Sequence, residues 1–154
     1  MITLYRHAVG NRSYRKVVAY MEDHSTEYTI YNLSHEELTR EQLFEMLANT
    51  ENGVEDILST RSKAYKKLTD EGVDFDDMSL TRLLDYINNY NELLRYPIMV
   101  KDGATIVGYS DDTISLLRSR EDRMREHNEF LNVAREIDKV HFLKMRDDYK
   151  EAAV

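Results

Sequence analysis

The chain contains no cysteine and no tryptophan, with a single proline and five glycines among its 154 residues. The missing cysteine removes disulfides, thiolate metal sites and cysteine nucleophiles together. No apolar run approaches the roughly 18 residues that a membrane-spanning helix requires. The first residues, Met1-Ile2-Thr3-Leu4-Tyr5, lack the charged start and long apolar stretch of a secretory signal. They read as a first strand, and the expected location is the cytoplasm. Basic excess is missing too, since the net charge is −8. From Arg118 onward nine basic side chains balance nine acidic ones, so the acidic excess lies in residues 1–117. Such a surface repels phosphates, and autonomous DNA binding needs a clustered basic footprint. Any action on DNA is therefore expected to pass through a protein partner.

The remaining polar residues form no familiar reactive cluster. His7, His24, His35, His127 and His141 show no HxxxH pairing that would set two metal ligands on one helical face. Asp74-Phe75-Asp76-Asp77 and Asp111-Asp112 lack the spacing of a calcium loop. The eleven tyrosines are scattered and accompany no basic groove, so packing rather than base stacking is expected of them. No catalytic residue, metal or cofactor is predicted from these patterns.

What is present is a regular order of elements. Residues 2–5 form a strand, and a helix follows from about Ser13 to His24. Val17, Tyr20, Met21 and His24 fall at 3/4 spacing along it. Glu27-Tyr28-Thr29-Ile30-Tyr31 is β-branched and aromatic, a second strand. Two capping boxes are expected next, Ser34-x-x-Glu37 and Thr39-x-x-Gln42, the second opening a helix with Leu43, Met46 and Leu47 inward. Further helices are expected near 54–58, 60–68 and 79–90, the last capped by Ser79. Lys101-Asp102-Gly103 between apolar runs at 97–100 and 104–107 signals a hairpin. Ser110 with Asp111 and Asp112 reads as the start of another helix. This order predicts an α/β, thioredoxin-like fold: a four-stranded mixed sheet with a helical insertion, and a C-terminal helical extension. The first β-α-β unit should be parallel and the hairpin antiparallel. The expected domains are 1–118 and 119–154.

The extension, residues 119–150, contains neither Gly nor Pro. Phe130, Val133, Ile137 and Val140 mark one face of a long amphipathic helix, or of two broken near His127-Asn128. That stripe must cover something: its own domain, a partner, or a second copy in a dimer.

Several blocks together resemble the Spx branch of the arsenate-reductase-like thioredoxin fold. They are Met1-Ile2-Thr3-Leu4-Tyr5, Arg15-Lys16, Thr50-Glu51-Asn52-Gly53, Ile57-Leu58-Ser59-Thr60-Arg61-Ser62-Lys63, Leu93-Leu94-Arg95-Tyr96-Pro97 and Val107-Gly108-Tyr109. The resemblance covers about residues 1–118. It implies a transcriptional regulator that binds the C-terminal domain of the RNA polymerase α subunit and acts under stress. It places Gly53 at the polymerase-contacting surface, although glycine there also supplies a helix-terminal left-handed turn. Residues 7–14 and the start of the next helix, with Gly10, Asn11, Ser13, Tyr14, Arg15 and Lys16, would flank that surface. Arg61 and Lys63 would lie nearby, or Arg61 would pair with acids of the fold. The resemblance also implies a cis peptide before Pro97.

The departures are as informative. Spx proteins carry Cys-x-x-Cys after the first strand. Here Asn11 and Tyr14 stand near those positions if one residue is inserted, and Gly10 and Ser13 if none is. Tyr96 replaces the arginine before the proline, leaving at most Arg61 at the oxyanion site. Reduction by thiolate attack is thus chemically absent, and the resemblance implies a regulator without a redox switch. Two other readings remain. One is a non-catalytic interaction module, or an antagonist of a paralogue, using the C-terminal helix. The other is a thiol-independent transferase in which Ser13 or Tyr14 orients an activated thiol. The small apolar tail Glu151-Ala152-Ala153-Val154 reads either as a recognition tag for a protease or its adaptor, or as a frayed terminus.

Overall fold

The computed structural model describes residues 1–8 and 10–153. Val9, within the loop 7–14, and Val154 of the tail lie outside them. The chain divides into two compact units, Met1–Leu117 and Arg118–Val154.

The first unit is built on strand β1 (Ile2–Arg6), which pairs in parallel with β2 (Tyr28–Asn32) through helix α1 (Arg12–Asp23). Four helices follow: α2 (Arg40–Ala48), α3 (Val54–Ile57), α4 (Lys63–Asp70) and α5 (Leu80–Asn89). The chain then returns as the antiparallel hairpin β3 (Ile98–Lys101) and β4 (Ala104–Val107), giving the strand order β2-β1-β3-β4. Asp102 and Gly103 turn the hairpin, with Gly103 at φ +73°, a conformation open to glycine without a Cβ penalty. The mixed four-stranded sheet with a helical insertion is the expected fold.

Strand alternation divides the core into two layers. Ile2, Leu4, Met99 and Ile106 share one cluster with Val17 and Met21 of α1. Tyr5, Ile98 and Val100 belong to the other, with Leu43 and Met46 of α2, Leu68 of α4 and Leu83 and Ile87 of α5. Successive strand side chains point to opposite faces, so the two central strands, β1 and β3, supply both layers at once. Each fully buried Leu, Ile or Met contributes about 1.5–3 kcal/mol relative to exposure. Tyr5 is almost fully buried, and burial, with the Glu45 carboxylate adding to it, pushes its hydroxyl pKa up to about 12.

Three local expectations are corrected. Ser34 opens no capping box; its hydroxyl instead accepts a hydrogen bond from the Ala8 N–H, across 26 residues. Thr39 and Gln42 do form the reciprocal box, at 3.2 and 2.9 Å. Ser110 starts no α-helix: its hydroxyl accepts from the Asp112 N–H at 3.3 Å, and only a 3-10 turn follows, Ile114–Leu117. The helix expected from residue 60 begins at Lys63, because Ser62 takes the cap by accepting from the Tyr65 N–H at 3.1 Å.

The second unit is a single unbroken helix, α6 (Arg120–Ala152), with no interruption near His127-Asn128. Ser119 caps it, accepting from the Asp122 N–H at 3.0 Å. Glu121 and Asp122 occupy its first turn, where the helix dipole favours negative charge. None of its residues is buried. Among the described residues no helix is long and apolar enough to cross a membrane.

Candidate partner-binding surface

The loop after β1 is held by Asn11. Its side-chain oxygen accepts the Tyr14 N–H at 2.8 Å and caps α1, while its amide donates to the Tyr96 carbonyl at 3.0 Å. Tyr96 begins the cis bond to Pro97. One asparagine thus ties the loop to the turn before β3, 85 residues away.

Tyr14 fills the space beside Gly10. A Cβ added at Gly10 would run into the Tyr14 ring, so any other residue there would have to displace that ring. The Arg6 guanidinium lies 5.6 Å from the centroid of the same ring, within cation–π range. The Nε of Arg6 is buried, with no hydrogen-bond partner among the described residues. Ser13 is half-buried, and Arg15 is exposed on α1. Lys16 sits 4.8 Å from the Tyr109 ring centroid, and the Tyr109 hydroxyl donates to Asp111 at 2.8 Å.

Tyr96 makes its own structural contacts. Its hydroxyl donates to the Asn91 carbonyl at 2.7 Å, and its ring stacks on His7 at 5.6 Å. Burial raises its pKa further above the ordinary tyrosine value. A protonated, committed phenol offers neither a charge nor a nucleophile.

A second part of the surface surrounds Gly53. This residue precedes α3 with φ +68° and ψ −129°, and nothing lies within 4 Å of where a Cβ would stand. Asp56 holds the preceding loop. Its carboxylate accepts the N–H groups of Glu51 and Asn52 at 3.0 Å each, and the Asn52 amide at 3.1 Å. The Asn52 hydrogen bonds, backbone first, are the largest cause holding its pKa below the usual carboxylate range, and the Arg95 charge adds to them. A groove of ≈ 290 Å³ flanks this loop, lined by Asn49, Thr50, Glu51, Asp56, Thr105 and Val107.

Beyond α3, a one-pair bridge joins Leu58 to Leu94. Ser59 N–H donates to Leu93 at 2.6 Å and Arg95 N–H to Ile57 at 2.8 Å. This brings Arg95 to a cavity of ≈ 360 Å³ shared with Glu55, Leu58, Ser59, Thr60 and Arg61. The guanidiniums of Arg61 and Arg95 both line this cavity, with the Glu55 carboxylate beside them. Lys63 is exposed at the first position of α4. The turn 94–97 links the two parts, since Arg95 faces the cavity of Arg61 while the Tyr96 carbonyl receives Asn11. Arg6 and Arg95 were not among the expected residues, and His7 entered only as part of the loop 7–14; Arg95 carried a signal in its place beside Tyr96.

The family model for the ArsC family matches residues 10–117. The global transcriptional regulator Spx of Lactiplantibacillus plantarum is 39% identical over 126 residues, covering 82% of this chain and 92% of its own. The protein of that name from Streptococcus pneumoniae is 36% identical over 129 residues, covering 84% and 94%. Among solved structures, an ArsC-family-related protein from Bacteroides fragilis matches with TM-score 0.61 at 16% identity, over 76% of this chain and 98% of its own. An arsenate reductase from Vibrio cholerae matches with TM-score 0.55 at 18% identity, over 75% and 93%. These two share the fold. With the family model matching residues 10–117 and Spx proteins 36–39% identical over more than four fifths of the chain, the chain belongs to the ArsC family and groups with its Spx-type members.

Proposed function

We propose that this protein is a transcriptional regulator that binds the C-terminal domain of the RNA polymerase α subunit, in the cytoplasm and without a redox switch. The observation that carries this reading is Gly53. Its backbone lies open before α3, in a conformation that favours glycine, with no side chain above it. A partner's surface can approach the main chain there closely. Gly10, Asn11, Ser13, Tyr14, Arg15 and Lys16 on one side, and Arg61, Lys63 and Arg95 on the other, would supply the polar rim. Rim charges of this kind set register and association rate more than affinity. The acidic balance of residues 1–117 supports action through a protein rather than on DNA directly. Activity would follow abundance, since the chain has no thiol to oxidise.

Immobilised α C-terminal domain should retain the full-length chain and should fail to retain Gly53→Arg. No retention of the wild-type chain, or equal retention of the variant, refutes the assignment. The exposed stripe of α6 favours one second reading, a module or antagonist that binds a different partner through that helix. If deleting residues 119–154 leaves polymerase binding intact but abolishes another interaction, this second reading holds.

A further inference from the structure

We propose that α6 pairs antiparallel with α6 of a second copy of this chain, along the seam Phe130, Val133, Ile137 and Val140. These side chains are 69%, 60%, 63% and 51% exposed. Val133, Ile137 and Val140 line a shallow groove of ≈ 460 Å³ with Asn132 and Glu136. Helices of this kind draw most of their stability from packing an apolar face rather than from propensity. A 3-4-3 spacing is the a/d repeat of a two-helix seam.

The occupant is identified by charge. Continuing the same repeat outward reaches Arg123 and Glu126 before the apolar core, and Lys144 and Asp147 after it. In a parallel, in-register pair each of these would meet its own copy, giving four kinds of like-charge contact on the seam. In an antiparallel pair with its two-fold axis beside Arg135, every layer is matched. Phe130 meets Val140 of the second copy, and Val133 meets Ile137. Glu126 meets Lys144, and Arg123 meets Asp147. The flanks agree, with Arg120 opposite Asp148 and Asp122 opposite Lys150. The one like-charge meeting is Glu136 with its own copy, at the solvated rim. Glu126 also pairs with Arg118, which lies just before the N-cap Ser119, and a carboxylate can accept from two cations. Opposed signs at both ends and apolar residues between them specify a copy of the same helix, run the other way.

The test uses the full-length chain. Sedimentation equilibrium at micromolar concentration should give a dimer. The paired exchanges Lys144→Glu/Asp147→Arg and Arg123→Glu/Glu126→Lys each keep the net charge but make both seam ends repulsive. Each should weaken association by about tenfold or more, and mixing the two variants should restore it. Circular dichroism of each variant reports whether α6 stays helical, and restoration on mixing shows that both variants are competent. Orientation is read separately by thiols placed in the cysteine-free chain: Glu126→Cys and Lys144→Cys should cross-link with each other and not with themselves. A monomeric wild-type chain, as expected if α6 is covered by its own first unit, would overturn the proposal. So would association unchanged by the exchanges, or self-cross-linking of either single-cysteine variant.

Discussion

Asn11→Ala removes two hydrogen bonds with one truncation. The side-chain oxygen that caps α1 is lost, and with it the acceptor for the Tyr14 N–H at 2.8 Å. Loss of an N-cap costs about 1 kcal/mol. The amide that reaches the Tyr96 carbonyl at 3.0 Å is lost too, and a net hydrogen bond is worth about 1 kcal/mol. Both bonds are solvent-accessible, so water replaces part of each, and the sum is about 1.5 kcal/mol. For a unit of this size each kcal/mol moves the midpoint by about 4 °C, which predicts a fall of about 6 °C. Asn11→Asp separates the two bonds. The carboxylate keeps the cap, and the helix dipole favours it, but it cannot donate to Tyr96. The aspartate variant should therefore lose about half as much as the alanine variant. Thermal unfolding followed by circular dichroism, with all three chains in one buffer, measures this. Equal loss in both variants, or no loss in either, would refute the claim that Asn11 fastens the loop to the cis turn.

Other outcomes follow from single contacts. Gly53→Ala, at φ +68° and ψ −129°, should destabilise by about 1–3 kcal/mol from backbone strain alone, measured as a lowered denaturant midpoint. Asp56 has a depressed pKa in the folded chain, so its stabilisation is complete above the ordinary carboxylate pKa of about 3.9 and is lost as pH falls through the lower folded value. Asp56→Asn should therefore be less stable than wild type at neutral pH, and the two unfolding midpoints should converge in strong acid. Tyr96→Phe deletes the hydroxyl that donates to Asn91 at 2.7 Å and should cost about 1 kcal/mol in urea unfolding.

The readable parts of the fold were those settled within a few residues. Asp102-Gly103 announced the hairpin turn, Thr39 and Gln42 announced their box, and the Gly- and Pro-free run to residue 150 announced helix, though not whether it breaks near His127-Asn128. Ser34 misled because its hydroxyl is taken by Ala8, a contact between the loops after β1 and β2 that no local pattern carries. Ser110 misled for a related reason: its local bond to Asp112 closes a turn, and only Ile114 and Leu117 are drawn into the core behind it. The site was legible in its residue types but not in its grouping. Arg95 joins Arg61 only through the Leu58–Leu94 bridge, and Asn11 meets Tyr96 only once β1 and β3 pair. Contacts so distant in sequence exist only after the sheet has formed.

The polymerase assignment is tested most directly by the affinity of the full-length chain for the isolated α C-terminal domain, titrated calorimetrically beside Gly53→Arg, with and without a thiol oxidant. It predicts binding by the wild-type chain that the oxidant leaves unchanged, and a loss of at least about a hundredfold in the variant, the scale of a blocked interface centre. No wild-type binding, or a variant that binds as well as wild type, would contradict it.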